Sequence, residues 1–296
     1  MRTSTSGLLC GVFAAVAYGL MPLCVIPLTG KGMTVETILF YRFSLGGLAL
    51  AVWMFIRREP FHASLPDLGI LAALSVQYTL AALSVFAGYF FLPSGVVTSI
   101  HFLYPVAVAT LMMIFFGEKK SPATFLALAL AVGGVALLSL GEDSGWSAVG
   151  IGIVLFSALV LALYLVGMDW AGRRRALHGP RISLYVLLFG SLPCLIVSVA
   201  MGRFTFFPDA EAAFLVLALA LLTATLAIRA FNYSIQTIGP TMTSIIGAME
   251  PLTAVVMGTI AFGEPLTFGL ALGIGLVLAA VGCVMLAPHL ARGGDH

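Results

Sequence analysis

Charge is the first thing this sequence lacks. Asp, Glu, Lys and Arg make up only 9% of its 296 residues, where a soluble domain carries about 25%. Hydrophobic residues reach 61% and the mean hydropathy is +1.12, which describes an integral membrane protein embedded in a lipid bilayer. The few basic residues fall in short clusters between apolar runs and form no continuous stripe, so nucleic acid is excluded as a partner. Cysteine is scarce too. Cys10, Cys24, Cys194 and Cys283 lie inside apolar runs without a C-x-x-C pair, so neither a metal site nor a disulfide framework is expected. Also absent are G-x-S-x-G, H-E-x-x-H, GxxxxGK[ST] and paired carboxylates. With five His and twelve Asp plus Glu, mostly in loops, the chain offers an enzyme little to work with, and no cofactor is expected.

What is present is apolar length. A helix crosses the hydrocarbon core with about 20 mostly apolar residues. Runs of that size, broken at charges, Pro and Gly, fall at Gly7–Pro27, Val35–Ile56, Leu68–Phe90, Ser94–Phe116 and Pro122–Leu140 in the first half. The second half gives Gly150–Met168, Ile182–Met201, Ala212–Gln236, Thr241–Phe262 and Leu266–Leu286. The first run follows Arg2 as a secretory signal would, but its length and the spans behind it favour a retained helix. The reading is all-α, with ten transmembrane helices and no extramembrane domain.

Lys and Arg are enriched in cytoplasmic loops. With the N-terminus inside, that side collects Arg2, Arg57, Arg58, Lys119, Lys120, Arg173, Arg174, Arg175, Arg181 and Arg292, against Lys31 and Arg203 opposite. Both termini are therefore expected in the cytoplasm.

The chain also repeats itself weakly. At the offset that brings Pro105 onto Pro251, Gly117 meets Gly263, Glu118 meets Glu264 and Phe116 meets Phe262. Two halves follow, residues 1–141 and 142–296. Five spans per half is an odd number, so the second half enters the membrane from the other side. Two inverted five-helix repeats are the architecture of many secondary transporters, whose site lies near the midplane between the copies.

Polar residues inside the spans mark that site. Glu250 lies about ten residues, or roughly 15 Å, into its span. A lone carboxylate there costs about 3 kcal/mol or more, so it must face the interior, pair, or be protonated. Thr243, Gly247, Glu250, Ala254 and Gly258 share one face. In the preceding span Thr225, Arg229, Asn232 and Gln236 form a polar stripe, and Arg229 matches Glu250 in depth closely enough to pair with it. Arg229 and Glu250 are either a structural pair, with Arg229 snorkelling to the interface as a further alternative, or a substrate and proton site. At the repeat offset His101 corresponds to Gly247 and Tyr104 to Glu250. Tyr18, Tyr78 and Tyr164 are the remaining candidates for the cavity wall. Arg42 is expected to snorkel outward or to line an outer vestibule. Glu118 and Glu264 read as helix caps beside Pro122 and Pro265.

Several stretches carry a family resemblance: "AVAYGLMPLCV", "ILFYRFSLGGLAL", "YFFLPSGVVTSIHFLYPVAVATLMMIFFGE", "LVLALYLVG" and "NYSIQTIGPTMTSIIGAMEPLTAVVMGTIAFGEPLT". In their order and duplication the chain resembles the drug/metabolite transporter superfamily, specifically its EamA-type ten-helix exporters. The resemblance implies a secondary transporter of the bacterial inner membrane, exporting amino acids or other small metabolites through a cavity shared by both halves. Arg42, Pro105, Glu118, Pro251 and Glu264 match the family pattern, whereas Tyr18 stands where the family commonly has Trp.

The resulting expectation is alternating-access export of a small substrate from a cavity lined by Tyr18, Tyr78, His101, Tyr164, Arg229, Asn232 and Glu250, with Glu250 or His101 exchanging a proton. A passive, channel-like facilitator is the alternative. A functional monomer is favoured, although Gly269 and Gly273 form a small-xxx-small pair that packs either internally or across a dimer.

Overall fold

A computed structural model describes residues 5–88, 90–92, 97, 100–118, 122–138, 147–175, 177, 179–262 and 268–290. Among them every regular element is helical. The helices are α1 (Thr5–Gly19), α2 (Pro22–Gly30), α3 (Val35–Arg57), α4 (Leu65–Gly88), α5 (Tyr104–Phe116), α6 (Pro122–Leu138), α7 (Ala148–Arg175) and α8 (Pro180–Ala200). They continue as α9 (Ala210–Leu219), a π-helical segment (Ala220–Ala227), α10 (Ile228–Ile238), α11 (Pro240–Ile246), α12 (Met249–Phe262) and α13 (Phe268–Leu290).

Among the described residues six spans are long and apolar enough to cross a membrane: Thr5–Gly30, Val35–Arg57, Leu65–Gly88, Ala148–Arg175, Pro180–Ala200 and Ala210–Ile238. Tyr104–Phe116 is a shorter apolar helix. The spans are predominantly apolar, as a membrane crossing requires. Phe55, Ile114, Phe115, Ile196 and Phe214 stand exposed on the outer surface, while the interior holds Thr79, Ser157, Ser183, Asn232 and Thr243.

Glycine sets how closely the helices approach. A Cβ on Gly46 would stand 2.5 Å from the Ala224 Cβ, and one on Gly134 only 3.0 Å from the Gly273 carbonyl. Gly269 also faces the Leu137 carbonyl. The small pair of α13 is therefore spent on packing against α6 within the chain.

The packing partners are α3 with α8, α6 with α13, α4 with α7 and α8, α5 with α7, α1 with α10 and α12, and the π segment with α3. The connecting loops gather at two ends. At one, Arg181 Nη1 donates to the His62 carbonyl at 2.7 Å and the Tyr185 hydroxyl to the Phe61 carbonyl at 2.9 Å. Arg57, Arg58 and Arg173–Arg175 lie in the helix ends there. At the other, Lys31 bridges Asp209 (2.6 Å) and Glu211 (2.8 Å), and Thr37 meets Ser198 at 2.7 Å. Asp209 also caps α9 by accepting from the Ala212 amide at 2.7 Å. Glu118 follows Gly117, which closes α5 at φ +61°, and its own amide bonds the Met112 carbonyl. Glu264 lies outside the described residues.

Candidate functional site

Proline shapes the centre of the bundle. Pro105 and Pro251 have no N–H, so the carbonyls of His101 and Gly247 lose their helical donors. The helix gives way at Phe102–Leu103 before α5 and at Gly247–Ala248 before α12. Tighter bonds form at the breaks, Leu103 N to Ile100 O at 3.1 Å and Ala248 N to Ile245 O at 3.0 Å, and the freed Gly247 carbonyl accepts from Glu250 N at 2.9 Å. Pro22 breaks the first span likewise, one turn after Tyr18, whose carbonyl accepts from Met21 N at 3.0 Å. The first two breaks sit at matching positions of the repeat.

The breaks meet. The Tyr104 hydroxyl donates to the Ser244 carbonyl at 3.3 Å and lies on Gly247, where any Cβ would overlap it. On the other side of α12, a Cβ on Gly19 would stand 2.5 Å from the Glu250 carbonyl, so glycine alone lets α1 reach this point.

Glu250 and His101 are both half-buried in the bundle. The Ser157 hydroxyl donates to the Ala81 carbonyl at 2.7 Å. With its proton committed there, Ser157 accepts from His101 Nδ1 at 3.2 Å. That bond assigns the imidazole proton to Nδ1 and leaves Nε2 an acceptor.

A second group adjoins the first. The Tyr164 hydroxyl donates to Asn232 Oδ1 at 3.0 Å, and Asn232 Nδ2 donates to Ser183 Oγ at 2.9 Å, all three residues being buried. Tyr78 lies 5.1 Å from the Tyr164 ring and 5.6 Å from Phe43. Tyr18 meets Phe231 edge-on at 6.0 Å.

Of the two expectations for Arg42, snorkelling to the outer interface or lining an outer vestibule, its burial rules out the first. Arg42 is 5% exposed, its Nε donates to Thr223 Oγ1 at 2.8 Å, and its guanidinium carbon lies 5.4 Å from the Phe43 ring and 5.7 Å from the Tyr18 ring. The π segment explains this burial. Thr223 and Thr225 both lie in it, bonding Arg42 and the Gly46 carbonyl (3.1 Å) respectively, and bare Gly46 admits the close contact.

Arg229 forms no ion pair with Glu250 among the described residues. It stacks on Trp53 at 3.9 Å. The stripe on the eighth span thus divides: Thr225 and Arg229 face α3, whereas Asn232 bonds α7 and α8, and Gln236 bonds the Leu177 carbonyl at 3.1 Å. Structure therefore brings Tyr18, Tyr78, Tyr164 and Asn232 together, sets His101, Tyr104 and Glu250 beside them, and leaves Arg229 apart. Thr223 is the residue that sequence reasoning missed, and Arg42 the one it left undecided. No three His, Cys, Asp or Glu among the described residues converge as metal ligands.

Two stretches, residues 5–140 and 148–286, each match the profile of the EamA-like transporter family. The chain belongs to this family. As an EamA-like protein it is a membrane transporter of the drug/metabolite type and not an enzyme. It is 24% identical over 265 residues to the uncharacterised inner membrane transporter YedA of Escherichia coli K12, covering 84% of this chain and 81% of YedA. It is 32% identical over 195 residues to the threonine/homoserine exporter RhtA of the same strain, covering 64% of this chain and 61% of RhtA. A solved crystal structure superposes with a TM-score of 0.84 at 14% identity, over 95% of this chain and 99% of the other, a likeness of fold.

Proposed function

We propose that this EamA-like protein is a secondary transporter of the bacterial inner membrane that exports small metabolites of the amino-acid class by alternating access. The observation that carries the reading is the pair of helix breaks before Pro105 and Pro251, which meet where the Tyr104 hydroxyl bonds the Ser244 carbonyl, a few residues from Glu250. Discontinuous helices around a midplane site are how transporters expose backbone and charge to a substrate without exposing them to lipid.

Ten spans arranged as two inverted five-helix repeats, residues 1–141 and 142–296, account best for the packing. Exchanging the halves maps α3–α8 and α6–α13 onto themselves, α4–α7 onto α10–α1, and α5–α7 onto α12–α1. Those are the contacts a pseudo-twofold axis requires. The arginine-rich end, with both termini, is cytoplasmic by the distribution of Lys and Arg. The functional unit is a monomer, a reading supported by the internal use of Gly269 and Gly273.

Tyr18, Tyr78, His101, Tyr164, Asn232 and Glu250 line the substrate cavity, and Arg229 stands on Trp53 towards its cytoplasmic mouth. Export of an amino acid is supported by the similarity to RhtA, and inner-membrane placement by the similarity to YedA. Glu250 and His101 are the groups able to exchange a proton during the cycle.

The test is transport by the purified protein in liposomes, with substrates first selected by thermal stabilisation against amino acids and common metabolites. Wild-type flux should depend on pH. Glu250→Gln should flatten that dependence, and a Glu250→Gln profile identical to wild type would remove Glu250 from coupling.

A further inference from the structure

Arg42 is a buried cation whose partners do not satisfy it. Thr223, whose own proton is held by the Leu219 carbonyl at 2.7 Å, takes only Nε. Among the described residues no protein group accepts from Nη1 or Nη2, and neither nitrogen is sealed from accessible space. Beside it the buried Tyr18 hydroxyl, with Tyr78 as its polar neighbour, makes no hydrogen bond of ordinary length among the described residues. A buried ionised group and a buried hydroxyl left unpaired are each costly, so two unspent donors at one place point to a ligand that accepts from both.

We propose that Arg42 and Tyr18 form a carboxylate subsite, Arg42 binding through its free Nη edge and Tyr18 through its hydroxyl. The proposal rests on the transporter reading above and deepens it. A planar guanidinium matches a carboxylate with two parallel bonds, which an ammonium does not. Glu250 sets the rest of the ligand's charge. Its backbone carbonyl packs against Gly19, the neighbour of Tyr18, yet among the described residues Glu250 and Arg42 form no ion pair. A dianion would be repelled by Glu250, whereas a zwitterion places its anionic end on Arg42 and its cationic end towards Glu250. Thr223 positions Arg42 rather than touching the ligand.

The experiment uses full-length protein in detergent and compares each of the twenty L-amino acids with its carboxamide by thermal stabilisation and by competition of tracer binding. At least one acid should bind, and its amide should bind about tenfold or more weakly, as expected for loss of a charge-assisted pair. Arg42→Gln should weaken the acid by a similar factor and narrow the acid-to-amide ratio. Arg42→Lys should recover part of the ratio, and Tyr18→Phe should lower it several-fold. Should Arg42→Gln fail to fold, the wild-type acid and amide pairs and Tyr18→Phe decide the matter. Equal binding of acid and amide, an unchanged ratio in Arg42→Gln or Tyr18→Phe, or no binding of any acid overturns the subsite. Counterflow of an uncharged or cationic solute by the wild-type protein in that event leaves the transporter reading standing.

Discussion

Replacing Gly247 by Ala inserts a methyl group where the Tyr104 hydroxyl lies, at the contact between the two broken helices. Overpacking of this kind costs about 1–3 kcal/mol. Tyr104→Phe removes the obstructing oxygen and with it a long bond to the Ser244 carbonyl at 3.3 Å, worth about 0.6 kcal/mol by the membrane average. The inserted methyl group also comes within 2.9 Å of that same carbonyl, but this cost is common to both backgrounds and cancels in a double-mutant cycle. The cycle should therefore return a coupling of about 1–2 kcal/mol in favour of the double variant. Unfolding of the four purified proteins in mixed micelles measures it. A coupling within about 0.5 kcal/mol of zero, the range of independent sites, would refute the placement of Tyr104 on Gly247.

Other outcomes follow from single contacts. Tyr164→Phe strands Asn232 Oδ1 in a buried network and should cost about 0.6–1.7 kcal/mol, read by the same unfolding assay; no loss would show that Asn232 finds another donor. Arg229→Ala removes a cation 3.9 Å from the Trp53 ring and should shift Trp53 emission while lowering stability by about 0.5–2 kcal/mol. Lys31 holds the Asp209 carboxyl below its usual range, and Asp209 with Glu211 holds the Lys31 ammonium above its own. This clasp is complete between the ordinary Asp and Lys values, about 3.9 and 10.4. It is lost as pH falls through the lowered Asp209 value or rises through the raised Lys31 value. Spin labels at Gly32 and Ala213 should report a broadened distance at the acid extreme, and an unchanged distribution down to pH 2 would show that the clasp does not hold this end closed.

The helical class and the membrane-length spans among the described residues were legible because a membrane imposes length and apolarity on each crossing. Pro105 and Pro251 were legible as markers of the duplication, but the helix breaks they cause were not. Depth along a span, counted in residues, singled out Glu250, and the repeat offset singled out His101. Depth left open which way Arg42 and Arg229 turn, because it carries no azimuth. Arg229 matches Glu250 in height yet points at Trp53, and Arg42 lies close enough to an end to snorkel yet turns inward. The cause of that turn, a π segment opposite Gly46, is written in "ALLTATLA" without a residue that announces it. The spans near residues 100 and 247 were read as single helices, because Gly and Pro between apolar residues do not say where the chain resumes.

Counterflow in proteoliposomes tests the central claim, that a substrate is carried through this cavity by alternating exposure. With an amino acid chosen by thermal stabilisation, unlabelled substrate trapped inside should accelerate uptake of labelled substrate from outside and drive a transient accumulation above equilibrium. Uptake that is indifferent to trapped substrate would contradict a carrier and identify an open, passive pore.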